Sequence, residues 1–270
     1  MSPHSHNTQR GFSLLEMLIV VAVLSVVLGA IFNTILDGMK KYRLEENRVN
    51  TTQESREFLD QIVRDLHSAG YPGLKMFNPG ALAAPALNNS TVSAGLVAVS
   101  ATDIWFEGDV DDSGNVQSIR YTLQPLADGN CPCTMMRSAI LKLQGTAPSA
   151  QNTNYNTQLQ NVINSTGGAA PYAIDGTTPF NGVQVNNDVL YAAFKQPAVF
   201  SFFDQNGNPV VVPNDLLGGN LNAGVNVAQG LNIRMISVSL NLLSAQQDMQ
   251  THLRSGVSMR AMVKLINLQN

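Results

Sequence analysis

Near its start the chain runs "RGFSLLEMLIVVAVLSVVLGAIF", from Arg10 to Phe32, and almost every residue after Gly11 is apolar. About 20 such residues are enough for a helix to cross a bilayer. No other stretch limits the fold so strongly, because a helix that is apolar all round must be covered by lipid or by other helices. One residue breaks the run. Glu16 is a carboxylate inside the apolar segment, where an acid at the centre of a membrane helix costs about 2.5–3.5 kcal/mol. Near the end of the span the cost is smaller, yet an ionisable group there points to a function.

Three readings of the segment differ in what they explain. A secretory signal has a short apolar core followed by a small-residue cleavage site. Here the run is too long, and no such site follows it promptly. A plain membrane anchor fits the length but leaves Glu16 unexplained. The third reading starts from "GFSLLEMLIVVAVLS", which closely resembles the prepilin signature of type IV pilins and type II secretion pseudopilins. The resemblance implies that the polar leader, residues 1–11, ends at Gly11 and is removed by a prepilin peptidase. It implies that Phe12 becomes the N-methylated first residue and that Glu16 is the acid of the mature helix. In that setting the carboxylate faces the free amine of a neighbouring subunit. Between apolar helices, where the effective dielectric is low, such a pair is much stronger than at a surface. The charge pattern alone argues otherwise about orientation. Arg10 precedes the span, but Lys40, Lys41 and Arg43 follow it, and the positive-inside rule would keep that side in the cytoplasm. The prepilin resemblance places the C-terminal part outside.

The helix is expected to continue past the span. Residues 12–36 form the membrane or fibre-core part, and residues 37–70 an amphipathic continuation. Phe58, Ile62 and Leu66 recur at helical spacing, flanked by Leu59 and Val63. Gly70 is the expected C-terminal cap, with Pro72 and Gly73 just beyond. Gly29, Asn33 and Gly38 are points where the helix can bend, and a break at Gly38 would give two helices. The phrase "LDQIVRDLHSAGYPG" resembles the PilW-type minor pilins, relatives of the J-type minor pseudopilins of type II secretion. The C-terminal "SGVSMRAMVKLINLQN" agrees with that family more loosely.

Residues 71–270 read as a β-rich domain. "DIWFEGD" alternates Ile104 and Phe106 against Trp105, and "VQSIRYTLQ" puts Ile119, Tyr121 and Leu123 on one face. "TMMRSAILKL", "AVFSFFD" with "NPVVVP" around "DQNGN", and the C-terminal run are further strands, and "NIRMISVSLNLLSAQ" reads as a strand followed by a loop. The Asn206-Gly207 pair is a hairpin signal. Stretches 144–187 and 213–229, rich in Asn, Gln, Thr and Gly, read as long loops. The fold class is α+β: a long N-terminal helix packed on an antiparallel sheet with long loops.

Two features invite a chemical reading. In "GDVDDSGNVQ", Asp109, Asp111, Ser113 and Asn115, with Gly114, match the first half of a calcium loop. Arg120 stands where that loop needs a bidentate Glu, so a hairpin turn with side chains capping its own backbone is the competing reading. Cys131 and Cys133, in "NCPCT", are the only cysteines. In an oxidising compartment they can close a small ring or pair with a partner, and otherwise they sit in a turn as thiols.

Charged residues are 13% of the chain, about half the usual share, and the net charge is −3. That balance gives no case for nucleic acid. Nucleophile-elbow, zincin, phosphate-loop and dinucleotide motifs are missing from the sequence, so the chain is not expected to be an enzyme and, calcium aside, implies no cofactor. The partners implied by the resemblance are other minor and major pilins or pseudopilins, the prepilin peptidase and methyltransferase, an inner-membrane assembly platform and membrane lipid.

Overall fold

The computed structural model describes residues 13–78, 80, 82, 86–125, 131–164, 179–180, 183–184, 198–210, 232–247 and 254–268. Gly11 and Phe12 lie outside them. The chain divides into two compact units, residues 1–46 and 47–270. One α-helix, α1 (Leu14–Ser68), supplies residues to both. It is a single element, with no interruption at Gly29, Asn33 or Gly38.

In the first unit the helix has no packing partner among the described residues. All residues from Ser13 to Met39 are exposed, and the most apolar 18-residue window of the helix has a mean hydropathy of 2.8 with none of it buried. In the second unit the same helix carries a buried stripe. Thr51, Ser55, Phe58, Leu59, Ile62, Asp65 and Leu66 are buried, at spacings of three and four. The expected stripe is therefore present, extended by Thr51, Ser55 and Asp65, with Val63 half-buried beside it.

The helix ends as its sequence indicates. Gly70 takes φ +86°, the left-handed conformation that favours glycine. Tyr71 N–H donates to the Ser68 carbonyl, and Gly70 N–H to Glu107 O on the sheet. The Asn267 side-chain amide donates to the free His67 carbonyl at 2.8 Å. A Cβ on Gly70 would stand 2.7 Å from Leu268 Cδ2. The chain's C-terminal turn thus seals the helix end.

Against the stripe lies an antiparallel sheet. Its strands are β1 (Leu96–Val99), β2 (Asp103–Gly108), β3 (Gln117–Gln124), β4 (Cys133–Leu141), β5 (Tyr155–Val162), β8 (Phe200–Phe203), β9 (Pro209–Val210), β10 (Met235–Gln247) and β11 (Arg254–Lys264), with β6 (Pro179–Phe180) and β7 (Val183–Gln184) paired separately. The order is β1-β2-β3-β4-β5-β10-β8-β9, with β11 on β10. Strand β10 is the hinge of this order. Along one side it pairs with β11, from Met235↔Lys264 to Gln247↔Arg254. Along the other it pairs with β8 and then with β5. Asn164 bridges the gap there, donating to Ser239 O and accepting from Asn241 N–H.

One expectation is corrected. The stretch 144–187 is not loop throughout, because β5 lies inside it. Only Leu159 and Val162 of that strand are buried, so its Asn- and Gln-rich sequence hides the alternation that marks a strand. Ile104, Phe106, Ile119, Tyr121 and Leu123 form the inner face with the helix residues. Trp105 lies on the opposite face, as the alternation requires, yet it is also buried. Its indole N–H donates to Ser118 Oγ at 2.7 Å, and the Arg120 guanidinium stacks 5.1 Å above its ring.

Candidate functional site

The start of α1 is built from "SLLE". Ser13 Oγ accepts from Leu15 N–H at 3.2 Å, and Ser13 O accepts from Met17 N–H. Ser13 is therefore the N-cap, the position where a hydroxyl replaces a missing helical acceptor. Glu16 falls three residues later, the spacing of a capping box. The apolar run singles out Glu16 but not Ser13, although S-x-x-E is itself a helix-start signal. An acid in the first turn also faces the positive end of the helix dipole. Among the described residues Glu16 has no hydrogen bond and no ion pair. Its neighbours Leu15, Met17, Ile19 and Val20 are all more than half exposed. The carboxylate thus sits at one end of an exposed apolar helix, with no partner among the described residues.

The charges of the second unit are arranged the opposite way. Asp65 accepts from Tyr121 Oη at 2.6 Å and from Arg137 Nε at 2.8 Å, with a second Arg137 contact at 2.8 Å. Burial first, and the Asp65 charge second, push the Tyr121 hydroxyl well above its usual range. Phe58 packs edge-on against the Tyr121 ring. This group bolts the helix to β3 and β4. Asp103 on β2 takes a forked contact from Arg120 at 2.9–3.1 Å. Glu107 and Lys142 form a fully buried pair at 2.6 Å. Lys142 Nζ also donates to the Leu87 and Val92 carbonyls, so its three protons tie the 86–95 segment to β2 and β4. Burial raises the carboxyl groups of Asp103 and Glu107 above the ordinary range, outweighing the cations beside them.

The Asp109 turn caps its own backbone. Asp109 accepts from Ser113 and Gly114 N–H, and Asp111 accepts from Ser113 N–H. Asn115 lies at the end of the same turn, with its side-chain amide against Ser113. The Ser113 contact holds the Asp111 carboxyl below its usual range. Among the described residues no group of three or more His, Cys, Asp and Glu is placed to hold a metal ion. Asp204 makes the equivalent turn between β8 and β9, accepting from Asn206 and Asn208 N–H. Cys131 and Cys133 are joined to each other by a disulfide, fully buried where β4 meets β5.

An unpartnered apolar helix leading into a helix packed on an antiparallel sheet is a pilin-like α+β fold. The family model of the prokaryotic N-terminal methylation motif matches residues 6–32, which include Gly11, Phe12 and Glu16. No curated protein and no solved structure matches the chain. The motif and the fold together support a role in the type IV pilin and pseudopilin family. The single apolar helix is consistent with a single-pass membrane anchor.

Proposed function

We propose that this chain is a minor pilin of the PilW type, acting in the assembly or initiation of a type IV pilus. The observation that carries the reading is Glu16, an acid with no partner among the described residues, at the head of a helix with no packing partner in its own unit. Burying that helix among like helices satisfies both needs. The apolar surface leaves water or lipid for a packed core, and the carboxylate meets the amine that leader cleavage creates at Phe12. The leader is cut after Gly11 by the prepilin peptidase, and Phe12 is N-methylated. The chain then waits in the bacterial cytoplasmic membrane with its sheet domain outside, and joins other minor and major pilins through the assembly platform. A J-type pseudopilin of type II secretion would use the same N-terminal chemistry.

The test is Glu16→Ala in the full chain. Leader cleavage is expected to persist while the amount in the sheared fibre fraction drops strongly. Normal incorporation of the variant would remove the pairing idea. A wild-type chain that never leaves the membrane fraction would make it a non-polymerising anchor.

A further inference from the structure

Strand β11 is an edge. Among the described residues it pairs with β10 and with no other strand. Eleven residues long, it offers an outward row of main-chain N–H and C=O groups, the template on which another strand adds. Its two faces differ. Met259, Ala261 and Val263 turn inward onto the core, while Ser258, Arg260, Met262 and Lys264 are exposed in alternation. The inward face fixes the strand, and no described strand takes up the outer row.

The chemistry of that row is specific. Met262 is 57% exposed between two cations. Among the described residues neither Arg260 nor Lys264 has an ion-pair partner. Arg260 Nε donates to Ser237 Oγ at 2.6 Å, which holds the guanidinium along the hairpin surface. A second copy of β11 is a poor occupant. Antiparallel self-pairing centred on Met262 sets Arg260 opposite Lys264 twice, and centring on Arg260 sets Arg opposite Arg. Like charges directly opposite are destabilising. The cations therefore weigh against self-pairing in these two registers and select for opposite charge.

We propose that the free edge of β11 docks an extended segment of another protein, with acids opposite Arg260 and Lys264 and an apolar residue opposite Met262. The segment reads acid–x–apolar–x–acid, the period-two pattern of a strand. Main-chain bonds supply the affinity and the alternating side chains the specificity. The proposal stands apart from the fibre reading, since an anchored protein that never polymerised would offer the same edge.

The experiment places a photoreactive residue at Ser258 of the full-length, membrane-anchored chain in its native host and sequences the linked peptides. The expected result is one segment of another protein carrying the acid–x–apolar–x–acid pattern. Arg260→Glu with Lys264→Glu should lower its yield about tenfold or more, and acid-to-lysine changes in the partner should restore it. Arg260→Gln with Lys264→Gln, checked for an unchanged melting temperature, gives the same direction if the reversal misfolds. Linkage to lipid or to a second copy overturns the proposal. So does a yield no higher than from a probe at exposed Asn206, or one that charge reversal does not alter.

Discussion

Residues 14–46 and 47–270 solve opposite problems with the same helix. The first stretch exposes its apolar side chains and leaves its head-group acid, Glu16, without a partner among the described residues. The second buries Phe58, Ile62 and Leu66 against a sheet and matches three buried carboxylates with cations, Asp65 with Arg137, Asp103 with Arg120 and Glu107 with Lys142, while buried Asp109 accepts backbone N–H groups. Inside the second unit the buried acids find partners, Glu107 Oε1 excepted, whereas in the first unit the acid finds none among the described residues.

That contrast can be broken most severely at Lys142. Lys142→Met leaves Glu107 charged and buried without its partner, and should cost about 3–5 kcal/mol in denaturant unfolding of the full chain. Adding Glu107→Leu should recover much of the loss, because the pair is then replaced by apolar groups. A single variant as stable as wild type would show that the buried pair is not the tie described here.

Matched truncations in the two helix regions come next. Ile62→Ala should destabilise the domain by about 2–5 kcal/mol through transfer and cavity effects. Leu24→Ala, in the uncovered stretch, should leave the same unfolding transition where it is. Equal shifts would mean that the N-terminal helix packs on its own domain after all.

Smaller effects sharpen the second half of the comparison. Tyr121→Phe removes one of the donors to Asp65 while Arg137 stays, and should cost about 1–2 kcal/mol. The pH dependence has a definite sign. Asp103 is raised in the folded chain, so from about pH 4 up to its raised value the fold holds a proton that the unfolded chain has released. Stability from this group therefore falls as pH rises through that window, and Asp103→Asn should remove that fall from a plot of melting temperature against pH. The opposite slope would mean that Arg120, not burial, governs the group. The smallest effect concerns calcium. The Asp109 and Asp111 oxygens already accept backbone N–H groups, so millimolar calcium should leave the melting temperature unchanged, and a clear rise would restore the cation loop.

The legible parts of the chain are those whose partner is either generic or periodic. The apolar run needs only to be apolar and long, and the stripe from Phe58 to Leu66 repeats with the helix. Asp65 was legible in principle, since it lies seven residues after Phe58 on that same stripe, but an acid among acids reads as a solvated face until Tyr121 and Arg137 are brought to it. Glu107 shares its strand parity with Trp105, which points it away from the helix. Nothing local says that the 86–95 segment folds over it and that Lys142 comes with it. Strand β5 escaped because pairing with β4 and β10, not its own side chains, makes it a strand. Among the site residues, Glu16 stood out because it contradicts its surroundings, whereas Ser13 conforms to a common helix start and passed unnoticed.

Under the proposed function, the first region stays unfinished until the chain is processed and meets its neighbours. Mass spectrometry of the mature N-terminus tests it most directly. The expected product begins at Phe12 and carries a methylated amine. An intact Met1, or a cut at any position other than after Gly11, would contradict the account.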